Sequence, residues 1–335
     1  MKNNQLMIYG AYGYAGELMV REAVAQGLRP IIAGRDDEKL KPIATELSLE
    51  CRAFGVRNTG SNLQDISVLL NCAGPFSATA EPLARACLAQ QIHYLDITGE
   101  IDIFRKCHAL DEEARQQNVL ILPGAGTDIV PTDCLAAMLK EKLPVATRID
   151  LALSFGTNPS IGTVNTMIES FGKGGLIREG GMLKVVSNAF QMRKIPFQNK
   201  PQWAMTIPWG DVFTSGISTG VPDGAVYMAM PRMSIYMIRL TNPVKGILNT
   251  QFGQKITKRL AGWLMKKGPD AKALEAGRGQ FWGEAEAPDG EKLEMTMSTP
   301  NVYALTATVG IRIAQYCLDS VSYTHLRAHE TCADL

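Results

Sequence analysis

The chain has 335 residues, enough for roughly two domains at about 150 residues each. Its 46% hydrophobic and 20% charged content is that of a folded protein and excludes wholesale disorder. With 34 basic and 33 acidic side chains the net charge is +1, which carries no polyelectrolyte signal, so no nucleic-acid partner is expected.

The first 140 residues alternate between short apolar runs and helical periods. Gln5 to Ala11 is an apolar run that stops at glycine, and Ala15 to Gln26 is a helix that ends at Gly27. Pro30 to Arg35 is a second strand, Asp37 to Leu47 a helix, Cys51 to Val56 a weaker strand, and Val68 to Ala73 a strong one. Thr79 to Gln90 is helical, Tyr94 to Thr98 a strand, Ile101 to Gln117 helical and Val119 to Leu122 a strand. This alternation predicts βαβ units and a doubly wound parallel sheet, and runs without polar alternation fit strands covered on both faces.

After Pro144 the texture changes: RIDLALSF at 148–155 reads as a half-buried strand, and glycine and proline become frequent. The expected architecture is α/β. A Rossmann-type domain covers 1–144, and an α+β domain for substrate and dimer contacts covers 145–300. A helix at 301–319 returns to the first domain.

Val321 to Thr331 read VSYTHLRAHET, which resembles the in-frame translation of a sequencing-library adapter. Residues 320–335 are therefore set aside, and the native sequence is expected to run on from near Asp319. No apolar run reaches the ~18 residues of a membrane span, and MKNNQLMIYG enters a strand without a signal-peptide pattern. Seven cysteines without a C-x-x-C pair suit the reduced thiols of a cytoplasmic protein, and no metal is expected.

The clearest chemical signal is 10-GAYGYAG-16, placed between the first strand and the first helix. Glycine permits the tight turn and lets backbone N–H groups approach a pyrophosphate, and the helix N-terminus adds its dipole. The expected cofactor residues are Gly10, Tyr12, Gly13, Tyr14, Ala15 and Gly16. The spacing is G-x-x-G-x-x-G rather than the usual G-x-G-x-x-G. At the tip of the second strand, Gly34 and Arg35 stand where an acid would bind the ribose 2′-hydroxyl of NAD. Small residues and a guanidinium suit a 2′-phosphate, so NADP(H) is favoured over NAD(H). Lys39 would add charge, whereas Asp36 and Asp37 read as helix-start residues. Ala73, Gly74, Pro75 and Phe76, at the end of the fourth strand, complete the set as a turn beside the nicotinamide ribose.

Together, GAYGYAG, AGR, NCAGPF, HYLDITGE at 93–100 and PGAGTDIVPTD at 123–133 resemble the saccharopine dehydrogenase-like oxidoreductases. The likeness continues more loosely through 160-SIGTVNTMIES-170, IREGG at 177–181 and IPWGD at 207–211. It implies a Rossmann NADP-binding domain followed by a domain for substrate and dimer contacts. It is nearer to the enoyl reductase-like and lipid-droplet-associated members than to the lysine-pathway enzymes.

Glu100 and Asp128 follow strands on the cofactor side and are the acid/base candidates, each with helix capping as the alternative role. His93 reads as structural. Tyr12, Tyr14 and Tyr94 are further proton donors that nothing in the sequence separates. Residues 244–267 hold six basic side chains and no acid, with apolar residues every four positions and Trp263. This stretch is either a surface helix of the second domain or a peripheral membrane contact. The expected function is hydride transfer between NADP(H) and a small, lipid-like substrate. The alternative is a non-catalytic, NADP-binding, lipid- or membrane-associated protein.

Overall fold

A computed structural model of the protein describes residues 4–155, 174–244 and 277–319, with Thr250 and Gly253. The 160–170 motif, nearly all of 244–267 and the 320–335 tail lie outside the described residues. The chain divides into two compact units, one formed by Met1–Val130 with Tyr303–Leu335 and the other by Pro131–Val302.

In the first unit, β1 (Leu6–Tyr9), β2 (Ile31–Gly34), β3 (Cys51–Ala53), β4 (Val68–Asn71), β5 (His93–Asp96) and β6 (Ile121–Leu122) form one sheet in the order β3-β2-β1-β4-β5-β6. All five pairings are parallel. The order reverses between β1 and β4, which opens a crevice at the carboxyl ends of these strands. Every residue of β1, β2 and β4 is buried, as their unbroken apolar runs require.

Helices α1 (Tyr14–Ala25), α2 (Asp37–Leu47), α3 (Phe76–Ala89), α4 (Ile101–His108) and α5 (Asp111–Gln116) connect the strands. Two boundaries differ from the sequence pattern. α3 begins at Phe76 instead of Thr79, because Pro75 occupies the cap position, where a missing N–H costs nothing. The helix expected over Ile101 to Gln117 breaks at Ala109–Leu110, where Leu110 N bonds Cys107 O at 3.0 Å, a tighter i→i−3 step.

The second unit is built on an eight-stranded mixed sheet. α6 (Val130–Lys142) leads into β7 (Arg148–Phe155), β8 (Gly175–Glu179), β9 (Met182–Val186), β10 (Met192–Pro196) and β11 (Pro201–Ile207). α7 (Asp211–Thr219), β12 (Asp223–Ala229), α8 (Arg232–Leu240), β13 (Gly279–Glu286) and β14 (Lys292–Thr299) follow. The main order is β10-β11-β12-β7-β13-β14, with β8 joined to β12 and β9. Trp282, Tyr227, Ile195 and Phe197 share one core on this sheet.

Arg178, from the IREGG segment, is buried and donates to Val221 O and Ser215 Oγ at 3.1 Å each, fastening β8 to α7. Burial pushes its guanidinium down to about 10.

α9 (Val302–Asp319) belongs almost wholly to the first unit. Thr306 Oγ1 accepts from Thr127 N at 3.2 Å and donates to Thr127 Oγ1 at 2.9 Å, and Thr308 Oγ1 donates to Glu22 at 3.2 Å. No described helix is long and apolar enough to cross a membrane. Cys51, Cys72, Cys87, Cys107 and Cys317 are free thiols.

Candidate functional site

The glycine loop is shaped by two close approaches. Gly10 has φ +85°, and a Cβ there would stand 2.7 Å from Ala73 N. A side chain is thus refused both by the backbone conformation and by the neighbouring loop. A Cβ on Gly16 would fall 2.2 Å from Gly10 O, so glycine is what lets the first turn of α1 lie against the end of β1. Gly13 N donates to Gly10 O at 2.9 Å, and Gly10 N to Ala33 O at 2.7 Å, tying the loop to both strands.

Gly13 is the residue that precedes α1, and no side chain caps that helix. The first intrahelical bond runs from Glu17 N to Gly13 O, so the amides of Tyr14, Ala15 and Gly16 precede it. Such an end is suited to an anion.

The tyrosines of this loop have separate places. The ring of Tyr12 stands beside Gly34, its Cε1 2.6 Å from where a Cβ would be. Tyr14 meets Tyr303 of α9 edge-on, ring centroids 5.1 Å apart. Arg35 is exposed at the end of β2, and among the described residues it has no ion pair. Lys39 lies 5.6 Å from the Tyr12 ring but is paired with Asp36 at 2.9 Å, so the two largely cancel. Asp37 pairs with Lys41 at 2.8 Å.

Beyond the glycine loop, a buried polar chain links the ends of three strands. Ala73 N donates to Asn71 Oδ1 at 3.0 Å, and Asn71 Nδ2 donates to Tyr94 Oη at 3.1 Å. Tyr94 Oη in turn donates to Asp96 Oδ2 at 2.8 Å. Asp96 Oδ1 accepts from Thr98 N and from Gly124 N, each at 3.0 Å. Asn71, Tyr94, Asp96 and Thr98 are all fully buried. One carboxylate therefore sets the loops after β4, β5 and β6 together.

Burial pushes the Asp96 carboxyl up to about 6 against the pull of these donors, and holds the Tyr94 hydroxyl well above its ordinary value. Asn71 and Asp96 are not among the site residues expected from the sequence, and Tyr94 drops out as a substrate-facing donor because its hydroxyl is enclosed. A signal was present: a polar residue ending VLLN, and an aspartate inside YLDIT, each require buried partners.

Glu100 occupies the position before α4 without a side-chain capping bond, and its backbone N donates to Thr98 Oγ1 at 3.1 Å. Asp128 lies in the loop before α6, partly buried, and desolvation pushes its carboxyl up to about 7. His93 Nδ1 accepts from Leu120 N at 2.9 Å, a structural role. Among the described residues no group of three or more His, Cys, Asp or Glu side chains is arranged to hold a metal.

Residues 6–122 match the family model described as the saccharopine dehydrogenase NADP binding domain. The saccharopine dehydrogenase-like oxidoreductase of Rattus norvegicus is 25% identical over 231 residues, covering 60% of this chain and 53% of its own length. A lipid droplet localized protein of Caenorhabditis elegans is 24% identical over 158 residues, covering 42% of this chain and 37% of its own. The chain thus spans about half or less of these relatives.

Among solved structures, apo saccharopine dehydrogenase (L-Glu forming) from Saccharomyces cerevisiae aligns with a TM-score of 0.64 at 9% identity, covering 95% of this chain and 93% of its own; this is a likeness of fold alone. With the 3-2-1-4-5-6 sheet and the glycine loop at its crevice, residues 6–122 are a saccharopine dehydrogenase NADP-binding domain, and the chain is a distant relative of the saccharopine dehydrogenase-like oxidoreductases.

Proposed function

We propose that the protein is an NADP(H)-dependent oxidoreductase that moves a hydride to or from a small, lipid-like substrate. The observation that carries this reading is the pair of glycine approaches at Gly10 and Gly16, which leave the uncapped start of α1 beside the Ala73 loop. These residues fit a dinucleotide. The α1 amides with Gly13 would hold the pyrophosphate, Tyr12 and Arg35 would frame the adenosine ribose, and Ala73, Gly74, Pro75 and Phe76 would flank the nicotinamide ribose. NADP(H), when bound, supplies or accepts the hydride.

For the phosphorylated cofactor, support comes from Arg35, which is exposed, and from Asp36 and Asp37, which are occupied by lysines. Arg35→Ala is expected to weaken NADPH about tenfold or more in isothermal titration while leaving NADH nearly unchanged, the loss of a charge-assisted contact. Equal effects on both cofactors would remove the 2′-phosphate role.

Asp128 is the proton-handling group in this reading, because its raised carboxyl titrates near neutrality, where a general acid or base is most effective. Glu100 would orient the substrate. With NADPH oxidation followed over enoyl esters, imines and keto acids, kcat/KM is expected to show an ionisation near the value of Asp128. Asp128→Asn should abolish that ionisation and lower the rate by about a hundredfold or more, with NADPH affinity retained. An unchanged pH profile in this variant would exclude Asp128 from proton transfer.

A homodimer through residues 145–300 belongs to the same proposal. A second reading, a lipid-associated protein without turnover, is favoured by the apolar face of α8 and by the lipid-droplet name of one relative. Contact through 244–267 falls outside the described residues.

A further inference from the structure

Helix α8 turns an apolar face outward. Met233, Tyr236, Met237 and Leu240 recur at i, i+3, i+4 and i+7, which puts them on one side of a helix. They are 72%, 38%, 59% and 72% exposed. Ile235, on the opposite side, is buried and anchors the helix. The loop that carries Phe190, itself 45% exposed, is fixed to the C-terminal end of α8. Arg239 Nε donates to Ala189 O at 2.9 Å, Asn188 N to Asn242 Oδ1 at 2.8 Å, and Asn242 Nδ2 to Asn188 O at 3.1 Å. Phe190 therefore follows directly on a segment held at the C-terminal end of α8.

Arg232 and Arg239, seven residues apart, share one flank of the stripe. Arg232 is held against the rings of Trp203 and Tyr236, at 5.0 and 5.6 Å from their centroids. Between Asp223 and Asp270 the sequence contains eight basic side chains and no acid, of which Arg232 and Arg239 lie among the described residues.

We propose that α8, with Phe190, docks on an anionic phospholipid bilayer surface, its apolar stripe entering the interface and its arginine flank facing the headgroup phosphates. This deepens the lipid-associated reading above and does not depend on hydride transfer. A bilayer accepts an amphipathic helix to a depth of about 5–10 Å, and flexible methionines adapt to its disordered boundary. A second copy of the chain fits less well. Two such faces would bring like charges together. A nine-residue helix of about 13 Å also offers little of the ~800 Å² per partner that a stable interface buries.

The test is flotation of the full chain with vesicles of phosphatidylcholine and phosphatidylserine, against phosphatidylcholine alone. The comparison variant combines Met233→Ser, Met237→Ser and Leu240→Ser. These side chains are largely in solvent, so circular dichroism should report an unaltered fold. The expected result is binding to the mixed vesicles that weakens with salt, and a loss of about tenfold or more in the triple variant. The proposal is overturned by no flotation, by equal flotation with phosphatidylcholine alone, or by a triple variant that floats as the wild type does. It is also overturned if sedimentation finds a dimer that the same substitutions dissolve. NADPH titration of the same samples separates this outcome from the cofactor reading, since either can fail while the other stands.

Discussion

Gly16→Ala is expected to abolish useful dinucleotide binding, lowering NADPH affinity by about a hundredfold, and to destabilise the first unit. The added methyl would stand 2.2 Å from Gly10 O, a backbone atom that cannot rotate away. Either α1 withdraws from β1 or the Gly10 turn opens, and both displace the amides that would face the pyrophosphate. Overpacking of this kind costs about 1–3 kcal/mol, which for a unit of this size lowers Tm by several degrees. Losing one or two hydrogen bonds to a charged group accounts for the affinity change.

Gly27→Ala is the control. Gly27 also has positive φ, at +83°, but nothing lies within 4 Å of its missing Cβ. It should lower stability by about 1–2 kcal/mol through backbone strain while leaving NADPH binding intact. If Gly16→Ala binds NADPH as the wild type does, the glycine loop serves only helix–strand packing.

Asp96→Ala should be among the most damaging single substitutions in the first unit. It strands Thr98 N, Gly124 N and the Tyr94 hydroxyl in a fully buried site, at about 1–3 kcal/mol for each unsatisfied donor. Asp96→Asn keeps the shape and lets the pH behaviour be isolated. The carboxyl of Asp96 rises from 3.8 to about 6 on folding, because burial disfavours its charge. Over that window the folded chain binds more protons than the unfolded one, so this group's contribution to stability grows as pH falls and is lost as pH rises through about 6.

Scanning calorimetry at pH 7 and pH 5 should therefore show the wild type gaining on Asp96→Asn at the lower pH, by up to about 3 kcal/mol across the full window. A difference that is constant or that narrows on acidification would contradict the assignment. Because Ala73 N hangs on the same chain through Asn71, Asp96→Asn should also weaken NADPH, whereas a purely local role would leave binding unchanged.

Much of the first unit is legible without coordinates. Apolar runs at Leu6–Tyr9, Ile31–Gly34 and Val68–Asn71 can be buried on both faces only in a helix-covered parallel sheet, and the glycine spacing marks where that sheet turns toward a ligand. Those features are local, and local periodicity and backbone freedom suffice to write them. The parallel pairing of β12 with β7 and the attachment of β8 to β12 are not local, since partners 75 and 46 residues apart meet there.

The sequence by itself determined the doubly wound sheet, the glycine loop and the absence of an acid at the tip of β2. Only the tertiary structure decided the roles of single side chains. It enclosed Tyr94 and made Asp96 the acceptor for the Tyr94 hydroxyl and for the loops after β5 and β6, and it paired Asp36 with Lys39 and left Arg35 exposed. It also put the apolar stripe of α8 in solvent, where periodicity alone would have placed it in a core. The reason is physical: a repeat in sequence specifies which residues share a face, but what that face meets depends on elements distant in the chain.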